Sequence, residues 1–255
     1  MDGMPGSPSM FVVFLGTAGS GKTSLVSSFH DWLEGLGLRV GIANLDPGCK
    51  VIPYRPDFDV RDYFTVEKLM DEMGLGPNGA MVRAVELIEP VLERLSGRFE
   101  AGDFWLVDTP GQSELFLFRR EGPRVIDVLG RWAPVVGVYL VDPELAESPS
   151  GLVSAFSLAL AARLRVASPL VLVISKGDII REDVVRMCSN MDYLRERVLE
   201  EGVGSLTDLA LGLMDLMRGL ALAQRTVKVS ARTREGLPEL YDLIHESLCE
   251  CGDLT

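Results

Sequence analysis

Along this chain, short runs of β-branched and aromatic residues alternate with longer stretches whose apolar positions recur at helical spacing, the signature of βα units around a mostly parallel sheet. Six runs predict strands: Met10–Leu15, Arg39–Asn44, Asp103–Val107, Val135–Val141, Leu170–Ser175 and Thr226–Val229. Amphipathic stretches predict helices near Gly21–Leu36, Val66–Met73, Gly79–Leu95, Pro123–Arg131, Ser150–Leu164, Glu182–Glu201, Thr207–Ala223 and Gly236–Leu248, with Pro and Gly at their ends. The strand runs starting at Val135 and Leu170 are continuously apolar, as strands covered by helices on both faces must be. The expected fold is α/β and three-layered, with its ligands beyond the C-terminal strand ends. A helical insertion at about 182–223 precedes the last strand and is placed to carry an interface. The polar, Gly- and Pro-containing residues 1–9 read as a loose tail ahead of a single domain, 10–255.

Chemistry enters where the first strand stops. Gly16, Thr17, Ala18, Gly19, Ser20, Gly21, Lys22 and Thr23 fit G-x-x-x-x-G-K-[ST] between a strand and a helix. Glycines let the backbone wrap so that successive N–H groups face a β-phosphate, Lys22 reaches the β/γ oxygens, and the Thr23 hydroxyl ligates Mg²⁺. The fold class thus sharpens to a P-loop NTPase.

After the third strand comes Asp108-Thr109-Pro110-Gly111-Gln112. An Asp ending a strand beside the P-loop strand is placed to hold the Mg²⁺ shell. Gly111 can bring its N–H to a γ-phosphate because it has no Cβ, and Gln112 can orient an attacking water. Taken alone, this segment is an ordinary turn; the P-loop upstream changes its meaning.

Two further segments concern the base. Ser175-Lys176-Gly177-Asp178 ends a strand with a carboxylate able to accept from guanine N1–H and N2, an arrangement adenine cannot supply. Lys176 can lay its methylenes over the base. Ser230-Ala231 opens a segment, Ser230 to Leu237, similar to the loop with which GTPases offer the Ala N–H to guanine O6. GTPases usually carry Asn where this chain has Ser175, an amide that ties the base loop to the P-loop and reaches the base N7; with the shorter Ser a weaker base affinity or selectivity is expected, the Asp178 contact remaining.

Composition narrows the setting. Across 255 residues the net charge is −12, which disfavours direct binding to nucleic acid or anionic membrane. No apolar run is long enough to span a bilayer, and residues 1–9 are too short and uncharged for a signal peptide. Cys49, Cys188, Cys249 and Cys251 are too scattered for a disulfide framework, so reduced thiols and a cytoplasmic location are expected. Cys249 and Cys251 read as tail thiols, since closed zinc sites want four ligands.

With Gly76-Pro77-Asn78 in a loop between the two switch segments, the chain resembles the GPN-loop GTPases. The matching elements are Gly16 to Thr23, Asn44-Leu45-Asp46-Pro47-Gly48, Gly76 to Asn78, Asp108 to Gln112, Lys176 to Asp178, Ser230-Ala231 and the Cys-Gly-Asp-Leu-Thr tail. By itself Gly-Pro-Asn-Gly is what a turn wants. The resemblance implies a Mg²⁺-dependent hydrolase converting GTP to GDP and phosphate, acting as a homodimeric switch with each GPN loop in the partner's site. Asn78 then meets the γ-phosphate in trans, where related dimeric ATPases use a signature Lys at the position of Thr17. It also implies that Asp46 sits near the attacking water and Mg²⁺; the competing reading is that Asp46-Pro47-Gly48 is only a turn. Arg119 and Arg120 are expected to be solvated or at an interface, since nothing aims them at phosphate. Eukaryotic members are associated with RNA polymerase assembly, which makes polymerase subunits the candidate clients. The rivals are a nucleotide kinase, opposed by Asp178; a nickel metallochaperone, for which Cys49 alone supplies no cluster; and a module that holds GTP without hydrolysing it, opposed by Gln112 and Asp46.

Overall fold

The computed structural model describes residues 8–94, 99, 102–219 and 226–252. The element order opens with β1 (Phe11–Gly16), α1 (Lys22–Gly35), β2 (Val40–Asn44), the short β3 (Phe58–Asp59), a 3₁₀ turn (Val60–Asp62), α2 (Val66–Met73) and α3 (Pro77–Arg94). It continues with β4 (Phe104–Asp108), α4 (Ser113–Leu117), α5 (Glu121–Gly130), β5 (Val135–Val141), α6 (Pro149–Val166) and β6 (Leu170–Ile174). The last part holds α7 (Glu182–Ser189), α8 (Met191–Glu201), α9 (Ser205–Gly219), β7 (Val227–Lys228) and α10 (Leu237–Gly252).

The strands form one sheet in the order β3-β2-β4-β1-β5-β6-β7, every pair parallel. β1 sits in the middle, and every residue of β1, β4 and β5 is buried, which is why their sequences lack alternation. Two apolar layers flank the sheet. Phe29 and Leu33 of α1 and Leu240 and Ile244 of α10 pack on one face; Ile88 of α3, Val125 of α5, Leu152 of α6, Leu194 of α8 and Met214 of α9 belong to the other. This is the three-layer α/β arrangement of P-loop NTPases. Successive strands are added on one side of β1 up to β4 and on the other from β5 onward, so the C-terminal end of β1 opens a crevice.

Some expectations change. A seventh strand, β3, extends the sheet beyond β2; its two residues were too short a run to be read as a strand. The helix expected over Glu182–Glu201 is two helices, because the Asn190 side chain accepts hydrogen bonds from Asp192 and Tyr193 N–H and starts α8 afresh. Gly76-Pro77-Asn78 is not wholly a loop: Pro77 and Asn78 lie in the first turn of α3, where proline's missing N–H costs nothing and its fixed φ suits a helix. The short α4 was also unforeseen. Residues 1–7 of the expected tail, Leu95, 220–223 of the expected α9 and the last three residues lie outside the described residues.

Candidate functional site

Gly16 ends β1 with φ +141°, and a Cβ there would lie 2.5 Å from the Leu140 carbonyl oxygen of β5. Only glycine lets the chain leave the sheet at this point. Gly21, at φ +90°, then hands the loop to α1. Lys22 is buried and folds across its own loop, its Nζ donating to Gly16 O at 2.8 Å and Thr17 O at 2.9 Å. Ser20 is fully buried, with an Oγ that has no hydrogen-bond partner among the described residues.

Register places Asp108 beside this loop, since β4 pairs with β1 and Asp108 lies opposite Phe14. Asp108 is 1% exposed; Oδ2 accepts from the Tyr54 hydroxyl at 2.7 Å, while Oδ1 is buried without a hydrogen-bond partner among the described residues. Burial pushes its pKa up to about 6; the Tyr54 hydrogen bond and the nearby Thr23 hydroxyl counter this, Asp46 adds to it and Lys22 lowers it. Thr23 comes close enough to influence the acid but forms no well-directed bond to Oδ1. Burial, with Asp108 alongside, drives the Tyr54 phenol far above its usual range, so Tyr54 is the donor. Thr109 Oγ1 donates to Phe14 O at 2.6 Å and closes the strand ends together.

The Asp46 carboxylate bridges two segments. Oδ1 accepts from Gly48 N at 2.9 Å and Oδ2 from Gly111 N at 3.1 Å. The Gly111 N–H expected to face a γ-phosphate is therefore taken by Asp46, and the turn at Asp46-Pro47-Gly48 and the role near Gly111 coexist. Around them, Asn44 donates to Asp59 at 3.0 Å, and Arg61 grips Asp59 at 2.6 Å while reaching Cys49 O at 3.1 Å. Burial alone would raise the Asp59 pKa, but the Arg61 hydrogen bonds hold it below the usual carboxylate range. The Cys49 thiol is pushed up to about 11, by burial first and then by Asp46.

The base side is built at the C-terminal ends of β6 and β7, toward one edge of the sheet. Lys176 sits at φ +54°, uncommon for a residue with a side chain, with Nζ 3.0 Å from Asp142 Oδ2. Asp178 accepts from Ser230 Oγ at 2.7 Å, and that bond, followed by its own backbone N–H and then Arg232, lowers its pKa. Ser175 is buried with Oγ donating to Val141 O at 3.1 Å, so it ties the base loop to β5. A cavity of about 660 Å³ joins the two sides: Gly19 and Gly21 line it from the P-loop, Ser24 from α1, and Lys176, Asp178 and Ala231 from the base loops.

Other predicted residues lie apart. Gly76, Pro77, Asn78 and Gln112 are exposed, and Asn78 makes no side-chain hydrogen bond to a described residue. The α2–α3 pair nevertheless touches the Asp46 turn: Val66 N, at the start of α2, donates to Pro47 O at 3.1 Å, and Met81 Cε of α3 would lie 2.7 Å from a Cβ on Gly48. Met81 is one helical turn beyond Asn78, on the same face. Arg119 and Arg120 both pair with Glu121, at 3.7 and 2.8 Å. The side chains of Cys249 and Cys251 lie outside the described residues.

Sequence reasoning missed Tyr54 and Asp142. Asp142 carried a usable signal, an acid just past a buried apolar strand, as at Asp108. Tyr54 carried none, standing in a loop between Pro53 and Pro56.

The donor set suits a magnesium ion. Mg²⁺ is commonly held by one or two carboxylates with phosphates and waters, and Asp108 Oδ1 is a buried anionic oxygen lacking a partner beside Thr23. Among the described residues no helix is long and apolar enough to cross a membrane.

Comparison with known proteins fits this geometry. The profile of a family described as "Conserved hypothetical ATP binding protein" matches residues 14–250. The chain is 38% identical over 255 residues to the GPN-loop GTPase PAB0955 of Pyrococcus abyssi (strain GE5 / Orsay), an alignment covering 96% of this chain and 100% of that protein. It is 32% identical over 187 residues to GPN-loop GTPase 2 of Danio rerio, spanning 72% of this chain and 60% of that one. The apo crystal structure of PAB0955 superposes with a TM-score of 0.83 at 36% identity, covering 94% of this chain and 98% of the other.

Proposed function

The chain belongs to the GPN-loop GTPases, and from that membership we propose that it hydrolyses GTP to GDP and phosphate in a Mg²⁺-dependent site completed by a second copy of itself. The observation that carries this reading is the single cavity lined by both the phosphate loop and Asp178. Asp178 is held by Ser230 and kept anionic, which suits two donors on one base edge. A nucleoside triphosphate bound there extends its phosphates over Gly16 to Thr23 and its base toward Lys176 and Ala231.

The Thr23 hydroxyl and Asp108 would hold Mg²⁺, which when bound supplies positive charge to the β- and γ-phosphate oxygens. Lys22 exchanges its bonds to Gly16 O and Thr17 O for phosphate oxygens. Asp46, already bridged to Gly111, and Gln112 at the start of α4 orient the attacking water. The exposed first turn of α3 supports a trans role for Asn78: its amide has no hydrogen-bond partner among the described residues and reaches the γ-phosphate of the partner subunit. A neutral amide stabilises charge less than a cation, so turnover is slow, as befits a switch. Packing of Met81 on Gly48 links that turn to Asp46.

GTP should bind far more tightly than ATP in a direct titration; equal affinities would overturn the base assignment. Asn78→Ala should lower kcat on the order of 10²-fold while sparing GDP affinity and dimerisation. Mixing Asn78→Ala with Lys22→Ala subunits should restore one complete site per heterodimer. Confirmed subunit exchange without returning activity would exclude the trans arrangement. The free Cys49 and Cys188 suit a reducing, cytoplasmic setting. A client role in assembling complexes such as RNA polymerase rests on family membership alone. A pull-down comparing a non-hydrolysable GTP analogue with GDP tests it, and polymerase subunits absent from both would remove it.

A further inference from the structure

Asp108 is satisfied on one side only. Its two oxygens share one buried environment, yet Oδ2 has a short bond to Tyr54 and Oδ1 has no hydrogen-bond partner among the described residues. A carboxylate buried merely for packing would pair both, because an unpaired buried polar atom loses its hydration with nothing in return. The asymmetry is what a metal-holding carboxylate needs: one oxygen fixed by the protein, the other left to the ion.

Tyr54 is well placed to do the fixing. Its ring packs against the apolar layer beneath α1, and the loop that carries it is closed at both ends. Arg61 donates to Cys49 O at 3.1 Å at the start, and Asp57 pairs with Ile42 twice at the end, N to O at 2.9 Å and Oδ2 from N at 2.8 Å. Pro53, immediately before, lines the nucleotide cavity. The hydroxyl is therefore held by the fold rather than by Asp108.

We infer that Tyr54 is a positioning residue for the metal site, turning Asp108 so that Oδ1 faces the cation while the loop bearing Tyr54 joins the nucleotide cavity to that acid. The inference rests on Asp108 being the metal acid, so the test treats the two separately. Mg²⁺ is titrated into the full-length protein bound to a fluorescent GDP analogue, and GDP affinity is measured in parallel with excess EDTA. Tyr54→Phe keeps the ring and removes only the hydroxyl. It should raise the Mg²⁺ half-saturation concentration on the order of 10- to 100-fold, as losing an outer-shell partner of a metal ligand does, with EDTA-state GDP affinity unchanged. Tyr54→His, which keeps an N–H donor on a smaller ring, should fall between.

Asp108→Asn should weaken Mg²⁺ dependence in the same assay, and Tyr54→Phe added to it should have no further effect. If Asp108→Asn matters while Y54F and Y54H both match the wild type, the Tyr54 assignment is overturned and Asp108 keeps its role. Should Asp108→Asn leave the Mg²⁺ titration unchanged, both assignments fall. A Y54F variant whose GDP affinity drops equally with and without Mg²⁺ marks Tyr54 as merely structural, and thermal midpoints identify any variant that is not folded.

Discussion

The phosphate side and the base side of the nucleotide cavity are built on opposite plans. Phosphate-side groups stand at the ends of β1 and β4, strands with neighbours on both sides, and Lys22, Ser20, Asp108 and Thr109 are each at most 5% exposed. Base-side groups stand at β6 and the two-residue edge strand β7, and their charges are tied by partly exposed pairs such as Arg234–Asp31 at 3.5 Å and Arg232–Asp178 at 3.9 Å. Charge that must act on phosphate is buried, where its field is least screened. Recognition of the base is left to hydrogen-bond geometry that can tolerate solvent. One half of the cavity is thus pre-organised by the core and the other by local loop bonds.

Removing a group from each half sharpens the contrast. Lys22→Ala should reduce hydrolysis on the order of 10²–10³-fold for any nucleotide offered, measured as phosphate release. Asp178→Ala should instead collapse the preference for GTP over ATP, on the order of 10- to 100-fold in relative affinity, leaving Mg²⁺ dependence intact. Loss of both properties by either variant alone would break the division.

The clamps on the two sides should differ in stability by less, but measurably. Arg61 and Asp59 are 22% and 11% exposed and meet at 2.6 Å, so Arg61→Ala should cost about 1–2 kcal/mol, read from the denaturation midpoint. Because Arg61 holds the Asp59 pKa below its unfolded value, this contribution is full above the unfolded carboxylate pKa and is lost as pH falls through the lowered one. The Arg61→Ala penalty should therefore shrink in acid; a pH-independent penalty would detach it from the ion pair. Asp31→Asn, breaking a pair whose partners are 54% and 55% exposed, should change stability by no more than about 0.5 kcal/mol.

Elements were legible where local pattern and tertiary need agree. The continuous apolar runs became β1, β4, β5 and β6 within a residue or so, and Val66–Met73 was read to its ends because Thr65 caps it and Gly74 closes it. The break at Asn190 and the strand at Phe58 were illegible for opposite reasons. A cap can interrupt a helix without disturbing its apolar period, and a two-residue strand has no period to show.

The sequence by itself determined the chemistry on offer: a phosphate loop, an acid at a strand end, a base-reading carboxylate and the Gly-Pro-Asn signature, since each depends on residue types at short fixed spacing. Tertiary structure alone decided their relations. It joined residues 54 and 108 through one hydrogen bond, gave Asp46 to Gly111, tied Lys176 to Asp142 and put Asn78 on an exposed helix end. The physical reason is range. Spacing along the chain governs backbone shape and which face is apolar, whereas the free oxygen of a buried acid depends on which distant segment packs against the other.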